Sequence, residues 1–306
     1  MNKGLMFPDQ LFTIENEDTY RGMVKRGYEL AKDKSILFCG ICRNVGSRLE
    51  RNILRIQYSS QFFKSHHTFI YENNSTDDTV EILQKYRSET LSFVSDSRDD
   101  EAYEAQLQSG KDPVHFNRCK VLANCRNEYL KFAQNSNYNI VCVIDLDLWG
   151  GWSYNGLLHS IGVLYDRPTN GAVTAYGVLA DPYNRLPLEA IDPSRYIMYD
   201  CFVFRPKGPE IAEPKQRTCR FNFINQKPGS NPVFVNSNFN GFGLYRRESL
   251  NNLSYGVKLW DEYSVDADHV VLHRDMRNNG WDVIFNPSML VSYADHQYSK
   301  IPLIQG

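Results

Sequence analysis

The sequence predicts an α/β protein whose mainly parallel sheet is flanked by helices, with a more irregular second half. Three observations predict it. Apolar runs of strand length recur at residues 35–42, 67–72 and 139–148. Stretches of helical period separate them, from residue 47, at 79–86 and at 117–133, and each run ends in a polar loop. Strands alternating with helices favour a parallel sheet, whose ligands are expected beyond the carboxyl ends of its strands.

Residues 1–34 read as an N-terminal helical extension. The run ILFCGIC then forms a strand, followed by polar Arg43 and Asn44 and a helix with Leu49, Ile53 and Ile56 on one face. Ser47 and Glu50 have the S-x-x-E spacing of a capping box, and Ser75 and Asp78 repeat that spacing before the next helix, which carries Ile82, Leu83 and Tyr86 inward. Residues 96–116, rich in Asp, Glu, Gln and Ser, read as a surface excursion. After the helix at 117–133 comes the most strand-like segment of the chain, NIVCVIDLDL at 139–148. In the second half, 171–179 and 196–204 are strand-like, 233–246 is a strand punctuated by glycine, 265–277 is a helix and 283–293 a final strand. A core stops growing near this chain length of 306 residues, so residues 35–150 and 151–306 are expected as two halves of one unit.

A net charge of −2 supplies no general field for a polyanion, so nucleic acid is not an expected partner. The seven cysteines are odd in number and, apart from Cys39 and Cys42 within the apolar run, form no CxxC pair, which favours reduced thiols over a disulfide framework or a zinc ribbon. No run of about 18 apolar residues and no signal-peptide pattern occurs, so the expected location is the cytosol, or the cytosolic surface of a membrane. Sequons begin at Asn73 and Asn74, in a loop at the expected ligand edge, where a glycan would obstruct binding.

Asp145-Leu146-Asp147 is the sharpest chemical signal. In an extended strand, residues i and i+2 point to one side about 7 Å apart, a span that a divalent cation and its water can bridge. Mg²⁺ or Mn²⁺ held by one or two carboxylates completes its shell with waters and phosphate oxygens, so such a pair implies a diphosphate ligand. The alternative is two solvated acids at a strand end.

The whole pattern resembles the nucleotide-sugar glycosyltransferases of the GT-A fold. YENNSTDDT at 71–79 is similar to the family's strand-end acid and small-residue turn, and ANCRN at 123–127 to its helix before the D-x-D strand. The second half (VNSNFNGFGLYR, ADHVVLHRDM, IFNPSMLVSY) is similar, more weakly, to capsule mannosyltransferases of the fungal Cap59 type. The resemblance covers roughly residues 35–293 and departs from the family at Asp268-His269, where Glu or Ser-Glu is expected. It implies a UDP- or GDP-sugar donor, a glycan acceptor, Mn²⁺ or Mg²⁺ at Asp145 and Asp147, and nucleotide or diphosphate contacts from Arg43, Glu72 and Arg126. Glu72 and Arg43 have an alternative as solvated strand-end charges, and Arg126 as a surface helix position.

His269 and His273 stand four apart on one helix face, but no H-E-x-x-H pattern accompanies them, which argues against zinc. A histidine near the end of GT-A chains can complete the metal shell, which singles out His296 and also His273, against a place for either as a packed or solvated histidine. Sugars stack on aromatic rings, and of the aromatic residues near loops Trp152 is the expected sugar contact, against a place in the core. If transfer inverts the anomeric centre, a carboxylate must take the acceptor's proton. Asp268, after the acidic and aromatic segment WDEYSVDAD, is the candidate, with Asp266, Asp261 and Glu262 as rivals; otherwise it caps the helix. Two other classes share parts of the pattern. A haloacid-dehalogenase phosphatase also ends a strand in D-x-D, though near its N-terminus, and a catalytically silent glycan-binding module would keep the fold.

Overall fold

The computed structural model describes residues 6–97, 116–179, 197–210, 226–261 and 264–293, and strands and helices alternate in it as expected. Strands Ser35–Cys42 (β1), Ser65–Asn73 (β2), Leu91–Asp96 (β3) and Ile140–Ile144 (β4) form a parallel set in the order β3-β2-β1-β4. The sheet continues through Phe242–Arg246 (β10), Asn170–Leu179 (β6) and Asp282–Ser292 (β13) to Val233–Ser237 (β9) and Arg205–Pro206 (β8). Short strands Gly151–Trp152 (β5) and Ile197–Met198 (β7) pair with β13 and β6. Because β10 is antiparallel to both neighbours, β6 and β13 again run with β1, so the sheet is mainly parallel in direction. Strands Lys258–Asp261 (β11) and Ser264–Asp266 (β12) make a separate two-stranded sheet.

Alternation along the central strands sorts the core into two layers. Leu37, Cys39, Val141 and Val143 face helices Phe116–Gln134 (α4) and Asp268–Asn278 (α6). Ile36, Phe38, Cys142 and Ile144 face helices Glu17–Ala31 (α1), Gly46–Ser60 (α2), Thr79–Tyr86 (α3) and Tyr154–Leu164 (α5). Burying each large aliphatic of these layers stabilises the fold by about 1.5–3 kcal/mol. Helix α1 lies directly on α5: a Cβ at Gly27 would sit 1.7 Å from the Leu158 carbonyl oxygen, so only glycine permits that approach. No helix among the described residues is long and apolar enough to cross a membrane.

Several local expectations are corrected by tertiary contacts. The Ser47–Glu50 capping box does not form, because Glu50 accepts hydrogen bonds from Lys85 (2.6 Å) and Tyr86 (2.7 Å). The turn after β2 caps α2 instead, Asp77 accepting from the Gly46 amide (3.0 Å) and Thr79 Oγ1 from the Val45 amide (2.9 Å). The Ser75–Asp78 box is likewise absent, since Ser75 Oγ accepts from the Asn44 amide and Asp78 makes no side-chain cap. The strand expected to reach residue 148 ends at Ile144, and the two aspartates lie in the turn beyond it. The strand expected over 233–246 splits into β9 and β10 at Asn240 and Gly241, whose φ angles are +55° and +81°. Of the described residues in 196–204, only Ile197–Met198 is strand, and α6 starts at Asp268 because β12 occupies the residues before it. The excursion expected over 96–116 falls mostly outside the described residues.

Candidate active site

Strand β1 lies between β2 and β4, so the chain runs outward from β1 in one direction and later returns to its other side. At such a switch point the loops leaving the carboxyl ends diverge and open a crevice. Here the crevice is a cavity of about 630 Å³. Its walls include Ile41 from β1 and Arg43 after it, Asn73 from β2, Arg118 and Arg126 from α4, Asp145 and Asp147 after β4, Asp200, and Asp268 at the start of α6.

Asp145 still belongs to the sheet edge, its amide donating to the Gly241 carbonyl at 2.9 Å. Its Oδ2 accepts from the Tyr293 hydroxyl at 3.0 Å, and its Oδ1 lies 3.4 Å from Arg126 Nη2. Asp147 keeps solvent contact at the cavity wall. Desolvation by the surrounding protein, and then Asp145, push the Asp147 carboxyl up to about 6, with Arg48 and Arg126 opposing. Glycine is required at 241 by its φ of +81° and because a Cβ would meet the Tyr293 hydroxyl at 2.0 Å, the same hydroxyl that orients Asp145. Gly241 thus makes room for the hydroxyl that orients Asp145.

Arg126 is 7% exposed and lies over the Phe239 ring, 5.3 Å from its centroid. Its Nε is 2.7 Å from Asp268 Oδ2 in an ion pair whose angle is too poor for an aligned hydrogen bond. Burial works to lower the Arg126 pKa, but Asp268 first and Asp145 later outweigh it, so the guanidinium stays charged. The Asp268 carboxyl is raised by burial against the pull of Arg126, and its Oδ1 accepts the His269 amide at 2.8 Å.

Asp200 is a fourth carboxylate on the same cavity, and sequence reasoning passed over it. The available signal was one acid inside the apolar run YDCFVF. Burial, then Asp145 and Asp268, push its carboxyl up to about 7, while it accepts the Val203 amide. Beside it, the Tyr199 ring stacks on Tyr293 with centroids 3.6 Å apart and planes 16° from parallel.

Of the residues singled out from sequence, the cavity unites Arg43, Arg126, Asp145, Asp147 and Asp268. Two others are placed elsewhere. Glu72 is 1% exposed, and its carboxylate closes the turn after β2 by accepting the Ser75 amide (2.8 Å) and the Ser95 hydroxyl. Trp152 is fully buried, donates to Ser59 Oγ at 3.1 Å and packs near Phe242, so it is core rather than a sugar platform. His296 and the rival Glu262 lie outside the described residues. Both ring nitrogens of His273 are taken, by Ser237 Oγ and the Tyr245 hydroxyl at 3.0 Å each, and His269 stacks on Phe239. Burial lowers both imidazoles, His273 to about 3, so they are neutral packing groups.

Among the described residues, no three His, Cys, Asp or Glu side chains converge to hold a metal by themselves. The donor set still fits a hard cation. Two oxygen ligands at an open, partly solvated wall leave positions for water and phosphate, as Mg²⁺ and Mn²⁺ sites commonly do.

No protein-family model matches the chain, and no curated protein matches it. Solved structures with a related shape include a mannosyltransferase from Pyrobaculum calidifontis in complex with GDP-Man and Mn²⁺ (14% identity, TM-score 0.49, covering 94% of this chain and 68% of that one). They also include GalNAc-T7 with UDP, GalNAc and Mn²⁺ (12%, 0.47, 85% of this chain and 44% of that one). A third is S. aureus TarS 1-349 in complex with UDP-GlcNAc (12%, 0.46, 88% and 62%). This chain thus spans less than two thirds of the second and third. At these scores the likeness carries no functional argument, and function rests on the geometry.

Proposed function

We propose that this chain is a nucleotide-sugar-dependent glycosyltransferase of the GT-A type, acting in the cytosol or at the cytosolic surface of a membrane. The observation that carries the reading is the Asp145–Asp147 turn at the carboxyl end of β4, facing a crevice at the switch point beside β1. A UDP- or GDP-sugar suits that crevice. Arg43 and Asn73 stand at its β1 and β2 end, where a nucleotide would lie, and the carboxylate pair faces the diphosphate. Asp145 and Asp147 would hold Mn²⁺ or Mg²⁺, which when bound neutralises the diphosphate leaving group as the glycosidic bond breaks. Tyr293 orients Asp145, and Arg126 adds a fixed positive charge on the cavity wall that favours the diphosphate. Asp268, closed against Arg126, holds that guanidinium in position rather than moving protons.

Turnover is expected to stop in EDTA and to return with Mn²⁺ or Mg²⁺; full turnover in EDTA would contradict the reading. The pH dependence of metal binding has a definite sign. Only the ionised carboxylate binds the cation, and the Asp147 carboxyl is pushed up to about 6. Mn²⁺ affinity, measured by calorimetry, is therefore expected to weaken as pH falls from 7.5 through 6. A flat profile between 7.5 and 5 would contradict a raised carboxyl at this metal pair.

A further inference from the structure

We propose that Tyr199 and Asp200 form a carbohydrate-binding subsite for the acceptor on the cavity wall beside Tyr293, an inference that rests on the donor reading above and deepens it. The Tyr199 ring is 42% exposed and lies flat on Tyr293, so one face is backed by protein and the other is open. An open aromatic face suits the apolar C–H face of a pyranose ring, while its hydroxyls need acceptors nearby. Asp200 supplies one. Of the four acids on the cavity, Asp145 is engaged by Tyr293 and Arg126, and Asp268 by Arg126 and the His269 amide. Asp147 belongs to the proposed metal pair. Asp200 makes no ion pair among the described residues and accepts only the Val203 amide, which leaves lone pairs for a hydroxyl.

Three buried layers hold this subsite in place. The Asp200 amide donates to Asn240 Oδ1 at 2.9 Å, and Asn240 Nδ2 donates to Asn238 Oδ1 at 2.6 Å. Asn238 in turn donates to Thr174 Oγ1 and the Ala175 carbonyl, each at 2.8 Å, and both asparagines are fully buried. A buried amide chain of this kind is costly unless every member is satisfied, and here it fixes the loop that carries Tyr199 and Asp200. Because the Tyr293 hydroxyl bonds Asp145, the ring that backs Tyr199 also touches the proposed metal pair. A sugar on Tyr199 therefore lies next to the diphosphate end of the cavity.

The test uses saturation-transfer NMR with a mixture of methyl glycosides of mannose, glucose and galactose, on wild type and on Tyr199→Ala, Tyr199→Phe and Asp200→Asn. UDP and GDP binding with Mn²⁺ is measured on the same four proteins. Wild type and Tyr199→Phe are expected to transfer saturation to glycoside ring protons. Tyr199→Ala should bind about tenfold more weakly, the scale of one lost aromatic contact, and Asp200→Asn should also be weaker. Nucleotide binding should be unchanged across the set. Absence of glycoside contact in the wild type, or contact that persists unaltered in Tyr199→Ala, would overturn the subsite while leaving the donor reading intact. Failure of the wild type to bind either nucleotide would instead overturn the donor reading, and with it the acceptor role given to this subsite.

Discussion

Replacing Asp147 by alanine is expected to lower the turnover of the sugar donor by roughly 10²- to 10³-fold or more, the scale for losing one preorganised electrostatic element. The effect should fall on catalysis rather than on folding. Asp147 keeps solvent contact, and its neighbour Arg48 reaches its backbone carbonyl oxygen (3.3 Å), an interaction that alanine retains. Removing the side chain also relieves the repulsion from Asp145 that raises the Asp147 carboxyl. The melting temperature should therefore hold or rise slightly while kcat collapses. A variant with normal turnover would remove the metal role from this turn.

Arg126→Met should have the largest effect on stability. Arg126 pairs with Asp268 and Asp145, and the side chains of Arg126 and Asp268 are 9% and 6% exposed. Methionine fills much of the space but leaves Asp268 buried without its cation, and breaking such a pair costs about 3–5 kcal/mol. For a chain of this size that corresponds to a fall in melting temperature on the order of 10 °C. The double variant Arg126→Met/Asp268→Asn removes the orphaned charge and should recover part of the loss. Equal melting temperatures for Arg126→Met and wild type would show that the pair is not the buried counter-charge described here. Nucleotide affinity should stay low in both variants, since the positive charge facing the diphosphate is gone from each.

The sheet was legible from sequence because burial on both faces of β1 and β4 leaves an unbroken apolar run, and helical period marks what covers it. Asp145 and Asp147 were legible for the same reason, being the first polar residues after such a run. Their geometry was not: the strand stops at Ile144, and the pair lies in a turn fixed by Gly241 and Tyr293, about 100 and 150 residues later in the chain. Helix capping failed as a local signal because a distant turn supplied the caps to α2. Trp152 misled because an aromatic residue near a predicted loop has the same sequence signature whether it meets a sugar or Ser59 and Phe242. Glu72 stands at a strand end as expected, but the turn it closes consumes its carboxylate. Asp200 left almost no trace, since its place depends on a chain of asparagines from another strand connection.

Binding of a nucleotide sugar in the Asp145–Asp147 crevice through a divalent cation is measured by a thermal-shift titration. UDP- and GDP-sugars are added to wild type and to Asp147→Ala, each with Mn²⁺ and with EDTA. At 100 times its Kd, a ligand that binds only the folded state stabilises it by about 2.7 kcal/mol. A shift of that size is expected in wild type for at least one donor, present with Mn²⁺ and lost in EDTA and in Asp147→Ala. An unshifted wild type with every donor, or a shift of equal size in EDTA and in Asp147→Ala, would contradict it.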